Sequence, residues 1–358
     1  MNGKSGRDLC KKLFAGLLVA CMACMITACS NNGETNVNSS VQNGASSNNE
    51  AITDGSFEYN IYDNYAEIKK YNGQQSTVEI PSEFDNLPVT SIGQSAFEDC
   101  TSIASITIPD SITSIAGYAF YGCSSLENVT IPDSVTSIGY NAFHETAWYD
   151  NQPDGLIYVG KVAYQYKGEM EENTDIVLRE DTKAIAGGAF QDCIYLTSIT
   201  LPESLLSIED SAFYVCTALT SITIPEGVTS IGDSAFYGCS SLAEITVPAS
   251  VTSIGVYAFN SCTALKSITI PEGVTSIVAG TFDSCDSLTS ITIPSSVTSI
   301  GYGAFYSCDS LTDITIPDSV TTIEDNVFQA CESVTIHGKS GSTAEAYANK
   351  NSITFVAE

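Results

Sequence analysis

Nine cysteines in the body of the chain have the side chains best suited to chemistry: Cys100, Cys123, Cys193, Cys216, Cys239, Cys262, Cys285, Cys308 and Cys331. A thiolate is a nucleophile and a soft metal ligand, but zinc is held by closely spaced pairs with further Cys or His. Here no CxxC pair exists and the usual spacing is 23 residues. Nine thiols cannot all pair. If the 23-residue spacing stacks them, parallel neighbours sit about 5 Å apart, whereas a relaxed bridge needs Cβ atoms about 3.8 Å apart. The spacing therefore predicts free thiols packed as small apolar groups.

The two histidines, His144 and His337, lie far apart in sequence, and no Ser/His/Asp or Cys/His set can be assembled around them. No Gly-rich phosphate loop follows a strand-like run. Acidic residues recur behind a proline at Asp110, Asp133, Glu203, Glu226, Glu272 and Asp318. One carboxylate per repeat supplies poorly the roughly six to eight converging oxygens that calcium wants, so the row reads as a solvated edge. The chain is expected to be no enzyme and to need no cofactor or metal.

One further cysteine carries a different chemistry. Residues 2–12 hold four basic groups, and Leu13–Thr27 is apolar or small, an export signal too short for a membrane span of about 20 residues. It ends in Ile26-Thr27-Ala28-Cys29, which resembles the bacterial lipobox, in which the cysteine receives a diacylglycerol. Leu18-Val19-Ala20-Cys21 fits the same pattern but would leave a short apolar region and a hydrophobic mature end, so Cys29 is preferred. A simple cleaved secretory signal is the plainer alternative. Two acyl chains suffice for stable anchoring. Residues 30–50, rich in Asn, Ser and Gly, read as a tether with a mean reach of roughly 25 Å. The expected location is the outer face of a bacterial membrane, exposed at the cell surface and attached to lipid only through the N-terminus.

The net charge of the chain is −29. Removing residues 1–28, which carry Lys4, Arg7, Lys11, Lys12 and Asp8, leaves 9 basic and 41 acidic side chains, or −32. Such a surface repels phosphate backbones and argues against a nucleic-acid partner; it also keeps a surface protein soluble.

What must position these residues is a repeat. Phe97, Phe120 and Phe143 are 23 apart, as are Phe190, Phe213, Phe236, Phe259, Phe282, Phe305 and Phe328. Prolines keep the same period, and one unit reads IPEGVTSIGDSAFYGCSSLAEIT over residues 224–246. A 20–29-residue period with L-x-x-I-x-I marks a leucine-rich-repeat solenoid. Within a unit, Leu242-x-x-Ile245-x-Val247 reads as a strand and Pro248 stops it. Val251 and Ile254 return to the core, Gly255 permits a turn, and Ala258-Phe259 begin a turn or short helix. Each coil alone cannot bury its apolar edge, so coils stack in parallel. The expected fold is a curved rod of 23-residue coils with a parallel β-sheet face, a β-rich N-terminal cap and a helix-plus-strand C-terminal cap.

The pattern AFxxCxxLxxIxIPxSVTSIG is similar to the BspA-like leucine-rich repeats of bacterial surface proteins over roughly residues 55–358. That resemblance implies export and, for several members, adhesion or binding of host proteins. The expected division is 1–28 signal, 29–50 tether, 51–80 N-terminal cap, 81–143 repeats, 144–175 insertion, 176–336 repeats and 337–358 C-terminal cap. The first unit, Pro81 to Pro109, carries five extra residues near Asp85–Pro88. In the C-terminal cap, Ser342 and Glu345 have capping-box spacing.

Two surfaces are candidates for binding. Outward strand positions are Ser or Thr in most coils, with nine Thr, from Thr107 to Thr335, read as one column; Thr also simply suits an exposed strand. The insertion reads as a hairpin, Leu156–Val159 and Val162–Tyr166 turning at Gly160-Lys161, and concentrates Trp148, Tyr149, Tyr158, Tyr164 and Tyr166. Aromatics dominate binding hot spots, but a hairpin packing its rings onto neighbouring coils accounts equally well for them. A second aromatic row, Tyr121, Tyr214, Tyr237 and Tyr306, reads as packing on the convex face. The expected function is capture of an extracellular protein or glycan, with host-derived ligands among the candidates. The alternative is a structural, envelope-associated spacer without a specific ligand. For the anchor, Cys29→Ala is expected to abolish incorporation of a palmitate analogue in cells; persistent labelling would move the site to Cys21.

Overall fold

The computed structural model describes residues 52–53 and 55–358; the signal, Cys29 and the tether lie outside them. The described chain opens with antiparallel strands, Ile52–Thr53 on Phe57–Ile61 and Phe57–Ile61 on Ala66–Tyr71. Ala66–Tyr71 then pairs in parallel with Leu87–Ile92 and starts the solenoid. The five extra residues of the first unit form a small hairpin. Glu83–Phe84 pairs with Leu87–Pro88 across Asp85 and Asn86, both at positive φ, the backbone that a two-residue primed turn needs.

Each regular coil carries two strands, not one. In the unit read above these are Glu244–Thr246 and Ser253–Ile254. The three-residue strands pair in parallel, for example Ile222 with Ile245 and Ile268 with Ile291. The two-residue strands form a second ladder in which Ile208, Ile231 and Ile254 are successive partners. Proline separates the two ladders within the coils, except in the coil of Thr174–Val177, where Arg179 takes its place.

The third side of the coil is turns, not helix. Residues two before and two after the repeat Phe sit at positive φ, as at Tyr118, Ser234, Tyr257, Asp99, Asp192 and Ser261. These left-handed positions, and not Gly255, reverse the chain. Glycine after the ladder Ile serves close approach instead. A Cβ on Gly255 would lie 2.5 Å from the backbone of the preceding coil at Asp233 and Gly232.

The Phe column forms the core of that side. Phe97, Phe120 and Phe143 stack at 4.9 and 5.1 Å, and Phe190 to Phe328 stack at 5.1–5.7 Å with their planes nearly parallel. Within each run the Phe N–H donates to the next coil, usually to the Ala carbonyl before the next Phe: Phe97 to Ala119, Phe213 to Ala235, Phe236 to Ala258. The C-terminal cap is as the spacing predicts. Ser342 accepts from the Glu345 N–H, the Thr343–Asn351 helix follows, and Thr354–Ala357 adds the last parallel strand.

All nine cysteines of the coils are free; seven are buried, and Cys100 and Cys331 are half-buried. Their thiols do more than fill space. Cys123 Sγ donates to the Phe97 carbonyl at 3.0 Å, and Cys216, Cys239, Cys262, Cys285, Cys308 and Cys331 repeat this bond one coil back at 3.0–3.3 Å. Burial pushes the Cys123 and Cys193 thiols up to about 12 and Cys331 to about 11. At pH 8 this cuts the thiolate fraction of Cys123 by about three orders of magnitude relative to a free cysteine. Native protein is therefore expected to resist iodoacetamide, with Cys100 and Cys331 modified first and all nine after denaturation without reductant. A thiol that ionises near 8.5 when unfolded but near 12 when folded makes stability fall as pH rises through that window, about 1.4 kcal/mol per pH unit per thiol. Alkaline denaturation monitored by circular dichroism checks the sign; a stability that is flat or rises above pH 9 would overturn it.

Candidate binding surface

The three-residue strands bury their central Ile and expose the residue on either side. Register then lines the exposed residues into two columns. One holds Ser221 beside Glu244, and Ser267 beside Ser290; the other holds Thr223 beside Thr246, and Thr269 beside Thr292. Thr107, Thr130, Thr200 and Thr315 complete a column of exposed threonines. Thr335 does not belong to it. The last coil is one residue short, so Ile314 pairs with Ile336, Thr335 falls opposite Asp313, and His337 takes the threonine position beside Thr315.

That shift assembles a feature the sequence did not reveal. The His337 imidazole lies between two carboxylates, Nε2 at 3.1 Å from Asp313 and Nδ1 at 3.3 Å from Glu358. Asp313 also accepts from Thr312 Oγ1 at 2.8 Å, and this bond, followed by that to His337, holds its carboxyl below the usual range. These groups rim a hollow of about 470 Å³ at the end of the sheet, with Ser290, Thr292 and Thr315 on its wall. A smaller hydroxyl-rich hollow of about 270 Å³ lies on the same face between Ser198–Thr200 and Ser221–Thr223. Alternation in Val334-Thr335-Ile336-His337 was the available signal, because it fixes which residues point outward whatever the spacing from the previous coil.

The insertion is a hairpin, Gly155–Val159 against Val162–Lys167, preceded by a helical turn, Ala147–Asp150, too short to show as a periodic pattern in the sequence. Of the five aromatic candidates, Trp148, Tyr149 and Tyr164 come together, while Tyr158 and Tyr166 lie elsewhere. Tyr164 is 1% exposed and Tyr149 8%, so neither offers a partner more than an edge. Tyr164 stands in for a missing coil. Its ring meets Phe143 edge-on at 5.8 Å, and its hydroxyl accepts the Phe143 N–H at 2.9 Å, where an Ala carbonyl serves elsewhere. Tyr347 ends the second Phe stack in the same manner, edge-on to Phe328 at 6.0 Å with its hydroxyl 3.5 Å from the Phe328 N–H.

The other aromatics are tied in as well. Trp148 is half-buried against Phe143 at 5.4 Å. Lys167 Nζ donates to the carbonyls of Tyr149, Asp150 and Gln152, closing the helical turn. Arg179, where other coils have Pro, donates its backbone N–H to Tyr158 Oη and lays its guanidinium 3.8 Å from that ring. Tyr166 is half-buried, and its N–H bonds to Ala189. The cluster is therefore a splice between two runs of coils, and most of its aromatic area is spent inside.

Among the described residues, no group of three His, Cys, Asp or Glu side chains gathers to hold a metal, and no helix is long and apolar enough to cross a membrane. Parallel coils with two short ladders, a Phe core and a polar strand face define a leucine-rich-repeat protein. The BspA type leucine rich repeat region matches in six copies over residues 67–152, 157–285 and 229–354, and the chain belongs to that family. Among solved structures it is similar to a leucine rich cell surface protein of Faecalibacterium prausnitzii, with 28% identity, 88% of this chain and all of that one covered, and a TM-score of 0.32. It is also similar to the leucine rich repeat protein of T. pallidum, with 24% identity, 73% and 91% covered and a TM-score of 0.34. The pneumococcal vaccine antigen PcpA matches with 18% identity, 86% and 98% covered and a TM-score of 0.33. No curated protein is similar at a significant level.

The splice generates a test. Tyr164→Phe keeps the ring but leaves the Phe143 N–H buried without its acceptor, an expected loss of about 1–3 kcal/mol in urea unfolding. Tyr164→Ala also opens a cavity and is expected to cost about 3–5 kcal/mol. A Tyr164→Phe variant as stable as the parent would show that the hydroxyl does not close the first stack.

Proposed function

We propose that this protein is an exported, lipid-anchored binding protein of the bacterial surface that captures an extracellular protein or glycan along its threonine-lined strand face. The observation that carries this reading is the run of exposed threonines, Thr200, Thr223, Thr246, Thr269, Thr292 and Thr315, beside a column in which Ser is interrupted by Glu244 and Asp313. Short side chains lose little rotamer entropy when they bind, and β-branched Thr is already stiff at χ1. Strand pairing sets them about 4.8 Å apart along the stack. Such a face is a rigid array of donors and acceptors, suited to an elongated polar ligand that lies across several coils. The acidic residues of the same face disfavour anionic ligands. Family membership supports the location, and Cys29 with its tether supplies the attachment.

The discriminating measurement uses the full chain against arrayed matrix proteins and glycans, followed by Thr246→Lys and Thr269→Lys. Both positions are exposed, so thermal stability is expected to stay within about 0.5 kcal/mol, while binding drops about tenfold or more. Absence of any ligand across the arrays would favour the spacer, and retained binding in both variants would remove the strand face from consideration.

A further inference from the structure

The left-handed column two residues before the repeat Phe runs Tyr257, Gly280, Gly303, Asn326 over the last four coils, all at positive φ. Elsewhere a glycine in this column is covered by a tyrosine from the coil stacked before it. Tyr140 lies over Gly188 and Tyr257 over Gly280, so close that a Cβ on either glycine would meet ring carbons at 2.5 and 2.2 Å. Gly303 follows another glycine, and no ring is available to cover it. A Cβ there would meet only Tyr306 Cβ, at 3.7 Å. Two successive glycines thus leave a hollow of about 450 Å³ on the turn side of the coils, within the range of about 300–1,000 Å³ typical of small-molecule sites.

The walls of the hollow are specific. Tyr302 and Tyr306, 52% and 37% exposed, are two of the most exposed large aromatics of the chain and belong to one coil. Asn326 Nδ2 donates to Tyr302 Oη at 2.9 Å, which orients the phenol and leaves its own O–H to donate. Asp283 lies half-buried on the wall, with Ser284 Oγ donating to its carboxyl at 2.8 Å. Gln329 adds a carboxamide, and the lining is mainly polar. Flat rings beside a carboxyl and two carboxamides match one ligand chemistry best. A pyranose has an apolar C–H face to lie on a tyrosine and vicinal hydroxyls to bond with Asp and Asn. A purely apolar ligand would strand these polar groups without partners.

From this geometry we propose that the hollow around Gly303 is a pyranose-binding site, separate from the strand face, with Tyr302 and Tyr306 as the stacking platform and Asp283, Asn326 and Gln329 as the hydroxyl readers. None of these residues belongs to the three-residue strands, so either site can fail without the other.

The test is saturation-transfer NMR of the full chain with the methyl glycosides of glucose, galactose, mannose and N-acetylglucosamine, and with tetramethylammonium as the alternative occupant of a tyrosine-lined acidic site. At least one glycoside is expected to bind with Kd of about 1 mM, with transfer strongest to ring C–H protons. Gly303→Asn fills the hollow with a residue that the same column already holds at positive φ at Asn141 and Asn326. It is expected to weaken binding about tenfold or more without lowering the melting temperature. Tyr306→Ala, at an exposed position, is expected to do the same and stands in if the first variant is destabilised. Thr269→Lys is expected to leave glycoside binding unchanged. Transfer to no glycoside, transfer to tetramethylammonium alone, or binding undiminished in Gly303→Asn and Tyr306→Ala would each overturn the site.

Discussion

The Phe N–H of every coil points at the next coil and must find an acceptor there. Its ring is buried in the stack, so water cannot serve, and an unpaired buried amide costs about 1–3 kcal/mol. Eight of the ten repeat phenylalanines solve this with a backbone carbonyl 22 residues later, from Ala119 for Phe97 to Val327 for Phe305. The remaining two, Phe143 and Phe328, have no regular coil ahead and use Tyr164 and Tyr347 hydroxyls. The constraint explains why the insertion carries a tyrosine at its core. A stack can stop only where something supplies both a ring to cover the last Phe and an oxygen to receive its N–H.

The thiols answer the opposite need. The Phe carbonyl accepts the Cys N–H of its own coil, as Phe97 accepts from Cys100, and also the Cys thiol of the next, as from Cys123. A cysteine is small enough for the stack and carries a weak donor aimed along it. A serine would give the donor but lose apolar volume, and an alanine would give up the donor. Burial that pushes Cys123, Cys193 and Cys331 well above the ordinary thiol range also keeps them inert.

With ring column, ladders and thiols committed to stacking, only three places are left to vary: the outward strand columns, the turn residues beside Phe, and the break. The strand columns are mostly hydroxyls with a few carboxylates such as Glu244 and Asp313, the break has been absorbed by splicing, and the turn column holds Ser, Tyr, Asn and Gly at one backbone conformation. Variation at fixed geometry is how a repeat scaffold builds a local site, since a change of side chain there leaves the stacking bonds of neighbouring coils intact.

The repeat period, the inward Leu and Ile, the proline breaks, the free thiols and the capped C-terminus could all be read from the chain, because each is set by local chemistry repeated many times. Ser342 with Glu345, or Pro248 after Val247, says the same thing in any context. Other features depended on what lies one coil away in space. Whether Tyr164 faces a partner or Phe143, whether Thr335 or His337 stands beside Thr315, and whether Gly303 is covered by a ring are questions about neighbours 21–24 residues distant. They turn on one-residue changes in coil length and on which side chain the preceding coil sends across. Periodicity alone is blind to such changes; stacking, which must match every donor with an acceptor in the next coil, decides them.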